Sequence, residues 1–142
     1  MPRYDRVVNN SPLARALERV GDRWTLLVVD ALLDGPRRFN ELVEDLGGIA
    51  SNILTQRLRH LEHEALVIAT PYSQRPLRFQ YELTETGREL ASALRLLADW
   101  GGRGEGAEPL THATCGTPLE ARWYCPTCDE AVDEVEAAAE FV

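Results

Sequence analysis

A chain of 142 residues has room for one ordinary domain, or one small domain with an appendage, and excludes a large multidomain enzyme. Hydrophobic residues make up 44% and charged residues 27%, which supplies a core and excludes wholesale disorder and collagen-like or Pro-rich architectures. The apolar run Leu26 to Val29 stops at Asp30 and no other exceeds five residues, far short of the about 20 residues of a membrane span. Met1 to Pro12 lacks the apolar run of a secretory signal. The expectation is a soluble cytoplasmic protein with no membrane partner.

The net charge of -8 taken whole argues against nucleic acid, but its distribution reverses that reading. Residues 1–103 hold 14 Arg and 14 acids, net 0, while residues 104–142 hold Arg122 alone against 9 acids. The excess is all in the tail. Every base is Arg and none is Lys; a GC-rich genome accounts for that as readily as a need for forked donors to phosphate and guanine.

Ser11-Pro12 is a helix start, a hydroxyl cap followed by a residue suited to the first turn. Leu13, Ala16, Leu17 and Val20 then recur at helical spacing up to Gly21. A second helix begins near Asp22, with Trp24, Leu27, Val28, Ala31 and Leu32 apolar, and stops at Gly35-Pro36. A third, short helix spans about Phe39 to Leu46 and ends at Gly47-Gly48. From about Ala50 to Glu64, Leu54, Leu58, Leu61 and Ala65 form one stripe, a fourth helix. Two short helices joined by a Gly-containing turn of about three residues make a helix-turn-helix.

The period then changes. Leu66 to Tyr72 reads as a strand, Phe79, Tyr81 and Leu83 alternate with polar residues in a second, and Ser73 to Leu77 form the tip of the hairpin. Thr84 caps a fifth helix with Leu90, Leu94, Leu97 and Trp100 on one face, ending at Gly101-Gly102. Residues 101–109 contain four Gly and Pro109, a flexible linker. The expected organisation is a winged helix-turn-helix domain for DNA binding and dimerisation over 1–100, the linker over 101–109, a zinc-ribbon-like module over 110–130 and an acidic tail over 131–142. The fold class is mainly α with a small β-hairpin wing, plus the small ribbon.

In a winged helix the fourth helix enters a major groove about 12 Å wide and the hairpin reaches along the backbone. Stepping about 100° per residue, the face opposite the Leu54, Leu58 and Leu61 stripe carries Asn52, Gln56, Arg59 and His63, with Thr55 and His60 at its edges. Asn and Gln pair with adenine and Arg with guanine. Arg57, to one side, suits a phosphate. Arg75 and Arg78 at the hairpin tip suit phosphates or the minor groove, and Arg37 and Arg38 before the third helix are further phosphate candidates. His60 and His63 could pair on a metal, but on this face they read as DNA or water contacts. Residues 51–81 carry four Arg against Glu62 and Glu64, a local +2.

Five segments, Pro12 to Leu17, Gly21 to Leu27, Gly35 to Leu42, Leu54 to Leu58 and Leu83 to Leu90, resemble the HxlR-type winged helix-turn-helix regulators in order and spacing over about residues 11–101. The resemblance implies a transcription regulator that binds a dyad-symmetric operator as a homodimer held by its terminal helices, here about 12–20 and 84–100, with repression as the family's usual outcome. Members commonly place Cys before the Pro of the first segment, and in redox-responsive ones that thiol is the sensor. Here Ser11 stands there, and a hydroxyl forms neither sulfenic acid nor disulfide. Ser11 reads as a helix cap instead. The sequence names no small-molecule effector.

His112, Cys115, Cys125 and Cys128 form H-x2-C, nine intervening residues, then C-x2-C. All three cysteines and one of three histidines fall within 112–128. Four ligands with no open position describe one structural, tetrahedral Zn2+ per chain rather than a catalytic site. A module of about 20 residues has too little core to fold unaided, so the metal supplies folding energy. A disulfide would leave one cysteine unpaired in a reducing compartment. Trp123 and Tyr124 read as packing on the site, with a partner contact as the other option; the acidic end reads as a solvated tail or a docking segment.

No nucleophile and base pairing, phosphate loop or catalytic carboxylate pair stands out, so no enzyme activity is expected. Two alternatives to a sequence-specific regulator stay open: a winged-helix and zinc-ribbon interaction factor of the transcription machinery, and a zinc or redox sensor acting through the ribbon cysteines.

Overall fold

A computed structural model describes residues 11–132; residues 1–10 and most of the acidic tail expected at 131–142 lie outside the described residues. Ser11 opens helix α1 (Pro12–Val20), its Oγ accepting the Ala14 N–H at 3.0 Å, the cap that its sequence position suggests. Asp22 opens α2 (Arg23–Leu32) by accepting the N–H groups of Trp24 and Thr25 at 3.0 and 3.2 Å. A two-residue strand, β1 (Arg37–Arg38), leads into α3 (Phe39–Asp45), where Glu41 reaches back to the Arg38 N–H at 2.7 Å. Then come α4 (Ser51–His63), β2 (Val67–Gln74) and β3 (Leu77–Leu83).

β1 is the first departure from expectation. It pairs antiparallel with β3, Arg37 opposite Tyr81 and Arg38 opposite Gln80, so the wing is a three-stranded sheet in the order β1-β3-β2. Two residues are too few to show a period of two, and their partner lies more than 40 residues away. The hairpin tip is also tighter than expected: strands run to Gln74 and from Leu77, leaving Arg75 and Pro76 as the turn.

The expected fifth helix is two helices, α5 (Glu85–Arg88) and α6 (Ala91–Gly102). Thr84 explains the first. Its Oγ1 accepts the Gly87 N–H at 3.0 Å and donates to the Ala65 carbonyl at 2.7 Å, while its own N–H bonds Leu66 O at 3.0 Å. Gly87 is buried, and a Cβ there would lie 2.2 Å from the Leu66 carbonyl oxygen. The single turn is therefore pinned to the start of β2, while α6 directs Leu94 into the core; the break at Glu89 and Leu90 lets both conditions hold.

Val28, Val29 and Leu32 of α2, Leu42 of α3, Leu54, Leu58 and Leu61 of α4, and Leu66, Val67, Leu83 and Leu94 meet in one buried cluster with Ile49. Each full burial of such a side chain contributes about 1.5–3 kcal/mol, which fixes the rotation of α4 about its axis. The leucine stripe faces inward and the polar stripe must face out.

The chain divides into two compact units, residues 1–94 and 95–142. The boundary falls within α6, earlier than the linker expected at 101–109, and α6 continues through Gly102 into that segment. The second unit carries a small hairpin with a Thr111–Pro118 bridge and a Leu119 N–H to Leu110 O bond of 2.7 Å. A second hairpin pairs β4 (Trp123–Cys125) with β5 (Glu130–Val132). Among the described residues, no helix is long and apolar enough to cross a membrane.

Candidate nucleic-acid interface

Along α4, Leu54, Leu58 and Leu61 are at most 2% exposed, whereas Asn52, Gln56, Arg59 and His63 are exposed. The outward face is thus the set expected from the sequence. Thr55 is half-buried and its hydroxyl donates to the Ser51 carbonyl at 2.9 Å, a bond back onto its own helix that removes its donor from the face.

Three edge residues are engaged within the fold. Arg57, expected on a phosphate, lies with Nε buried and 2.9 Å from the Asp22 carboxylate, though not aligned as a hydrogen bond. It joins α4 to the residue capping α2, and that charge is no longer a bare phosphate donor. His60 directs Nε2 at the Arg19 carbonyl, 2.6 Å away; a carbonyl only accepts, so Nε2 carries the proton. His60 therefore holds α1 against α4 instead of facing a groove. Arg37 pairs with Asp45 at 3.2 Å.

Arg38, Arg75 and Arg78 remain on the surface. Arg38 is exposed with its guanidinium 4.2 Å over the Tyr72 ring, an attraction that orients the fork without satisfying its N–H groups. No spacing in the chain points to Tyr72, because the contact arises only when β1 joins the sheet. Arg75 occupies the turn and Arg78 pairs opposite Ser73 in the hairpin, both exposed. A polar helix face and an Arg-bearing hairpin are what a major groove and its flanking phosphates require.

In the second unit the four expected metal ligands form two separate pairs. His112 Nδ1 lies 3.4 Å from Cys115 Sγ, and the Cys115 thiol donates to the Thr117 hydroxyl at 3.2 Å. Once that thiol is ionised the direction reverses: hydrogen bonds to the thiolate from the Thr117 hydroxyl first, then the Thr117 backbone and His112, lower the Cys115 pKa to about 7. Cys125 is lowered by the Cys128 and Thr127 backbone N–H groups, with the Cys128 side chain beside it. Among the described residues, no three or more His, Cys, Asp or Glu side chains gather closely enough to hold a metal. Trp123 and Tyr124, read as packing on this site, are 62% and 58% exposed; the Tyr124 hydroxyl instead donates to Asp129.

The fold and its exposed face define a DNA-binding transcription regulator of the helix-turn-helix type. More particularly, the chain belongs to the HxlR-like helix-turn-helix family, which matches residues 19–108. An uncharacterised HTH-type transcriptional regulator of Mycobacterium bovis, Mb3122, is 42% identical over 125 residues, covering 84% of this chain and 78% of that one. The solved structure of PA1374 from Pseudomonas aeruginosa superposes with a TM-score of 0.66 at 36% identity, covering 89% of this chain and 88% of that one. The redox regulator HypR in its reduced form gives a TM-score of 0.63 at 32% identity, over 68% of this chain and 95% of that one.

Proposed function

We propose that the protein binds a dyad-symmetric operator as a homodimer and represses transcription there. The observation that carries this reading is the exposed face of α4, where Asn52, Gln56 and Arg59 stand opposite a leucine stripe locked into the core. Asn52 and Gln56 would read adenine and Arg59 guanine, while Arg75 and Arg78 at the wing, with Arg38, would contact phosphates. Arg37, Arg57 and Thr55 are left as minor contacts at most, since each is engaged within the fold.

Dimerisation is supported by apolar side chains that the protomer leaves uncovered. Leu13 and Leu17 of α1 are 67% and 54% exposed, and Leu97 and Trp100 of α6 are 52% and 68% exposed. No residue of α1 is buried. Two identical subunits present two recognition helices, and a two-fold axis then demands half-sites about 34–36 Å apart, or a multiple of that distance. Occlusion of a promoter by such a dimer accounts for repression. Ser11, already capping α1, offers no thiol chemistry, so an oxidant response would have to come from the second unit.

The test is selection of bound sequences from a random DNA pool by the full-length protein, followed by footprinting. A consensus with two-fold symmetry and half-sites one or two helical turns apart is expected. An enriched pool with no symmetry, or no enrichment with tight binding to a transcription-machinery protein instead, would favour the interaction-factor reading.

A further inference from the structure

We infer that one zinc ion, held by His112 through Nδ1 and by the thiolates of Cys115, Cys125 and Cys128, ties the two hairpins of the second unit together as a structural tetrahedral site.

The two ligand pairs are built alike, although one opens on a histidine and the other on a cysteine. In the first, the residue after the second ligand, Gly116, has φ +71° and donates its N–H to the carbonyl of the first ligand, His112, at 2.7 Å. In the second, Asp129 follows Cys128 with φ 57° and donates its N–H to the carbonyl of the first ligand, Cys125, at 2.9 Å. Each pair thus sits on the same left-handed turn, and each turn closes one hairpin. A left-handed backbone is costly for a residue with a Cβ, yet Asp129 adopts it. That repetition matches what two ligands of one ion need: side chains three positions apart folded back to the same point.

Spacing within the first pair fits the metal quantitatively. With a Zn–S bond of about 2.3 Å and a Zn–N bond of about 2.0–2.1 Å, the S to N edge of a tetrahedron is roughly 3.5 Å. His112 Nδ1 and Cys115 Sγ stand 3.4 Å apart. The Thr117 hydroxyl, 3.2 Å from the same sulfur, is placed to orient that ligand once the thiolate accepts from it. Soft sulfurs with one imidazole suit zinc over magnesium or calcium.

Among the described residues, no buried side chain joins the two hairpins. Across residues 110–132 no side chain is buried; Leu110, Leu119, Trp123 and Tyr124 are all more than half exposed. Without a core, a segment this short needs a cross-link to fold, and the ion would draw the two pairs onto one centre, coupling metal binding to folding.

The experiment is metal analysis of the full-length chain purified without chelator, followed by replacement with cobalt(II). About one equivalent of zinc per chain is expected, with thiols that react slowly until a chelator is added. Cobalt should give visible ligand-field bands of a tetrahedral centre and near-ultraviolet thiolate charge transfer. Cys125→Ser should lose the metal, and His112→Cys should retain it with altered cobalt bands. Long-range proton and nitrogen correlation spectra should place the remaining His112 proton on Nε2. Well under one equivalent in the wild-type chain, with three immediately reactive thiols or a Cys125–Cys128 disulfide, would overturn the proposal whatever the variants do. A proton on Nδ1 would overturn the ligand assignment.

Discussion

Arg19, in the last turn of α1, places its Nε 2.7 Å from the carboxylate of Glu64 and its Nη2 3.2 Å from the Glu64 carbonyl, while its own carbonyl meets His60 Nε2. Helix α1, which has no fully buried residue and packs on the core only through half-buried side chains such as Val20, is thereby tied to the C-terminal end of the helix that carries Asn52, Gln56 and Arg59. The Arg19 hydrogen bond holds the Glu64 carboxyl below its ordinary value, with smaller help from His60 and His63. A carboxylate lowered in the folded state stabilises it above the unfolded value of about 4.3, and the contribution is lost as pH falls through the lowered folded value. Comparing wild type with Arg19→Met by urea unfolding should therefore give a small deficit for the variant at neutral pH that shrinks in strong acid. A deficit unchanged in acid would mean that Arg19 acts through its bond to the Glu64 carbonyl and through packing, not through the carboxylate.

Thr84 joins three elements through its cap and its bonds to Ala65 and Leu66. Thr84→Ala should cost about 0.5–2 kcal/mol, the usual range for losing a helix cap, read as a lower urea midpoint with an unchanged slope. Gly87→Ala should cost more than Thr84→Ala, because the added Cβ meets backbone 2.2 Å away that cannot rotate aside. A neutral Gly87→Ala would show that α5 can shift freely on β2.

The Arg57–Asp22 contact separates a fold-holding arginine from a DNA-holding one. Partly exposed pairs are typically worth about 0.2–1 kcal/mol, so Arg57→Ala should lower stability by that order and leave the salt dependence of DNA binding almost unchanged. Arg75→Ala should behave oppositely: stability preserved, affinity for all DNA weakened, and the salt slope reduced by about one. An Arg57→Ala variant that flattens the salt slope as Arg75→Ala does would return Arg57 to the phosphates.

The uncovered apolar residues of α1 and α6 give a further expectation. Sedimentation velocity at micromolar concentration should report a dimer, and Leu17→Glu with Leu97→Glu should shift it toward monomer without lowering helix content. A wild-type monomer at that concentration would remove the two-fold axis from the account.

What the sequence made legible follows the range of each interaction. The stripes of α1 to α4, the caps at Ser11 and Thr84 and the outward set on α4 depend on spacing within a few turns and stand as read, except that Ala65, read into the α4 stripe, lies exposed beyond that helix with φ 57°. The pairings that were missed join distant segments: β1 with β3, Arg57 with Asp22, His60 with Arg19, and Arg38 with Tyr72. A polar residue's type says that it wants a partner but not which one the fold delivers, so arginines read as phosphate ligands can be engaged internally. The break between α5 and α6 was hidden for a similar reason, since the leucine period runs through it and only contact with Leu66 forces the kink. In the second unit, spacing within each pair is local and legible, whereas bringing both pairs to one ion, as proposed above, would be a long-range event.

The most direct test of the account measures Arg59→Ala and wild type against the selected operator and against a scrambled duplex of equal length, at one fixed salt concentration. Base reading by α4 predicts that the variant loses about 1–3 kcal/mol on the operator and far less on the scrambled duplex, narrowing the gap between them. Equal losses on both duplexes would mean that Arg59 holds only backbone, and would contradict the claim that this face of α4 reads sequence.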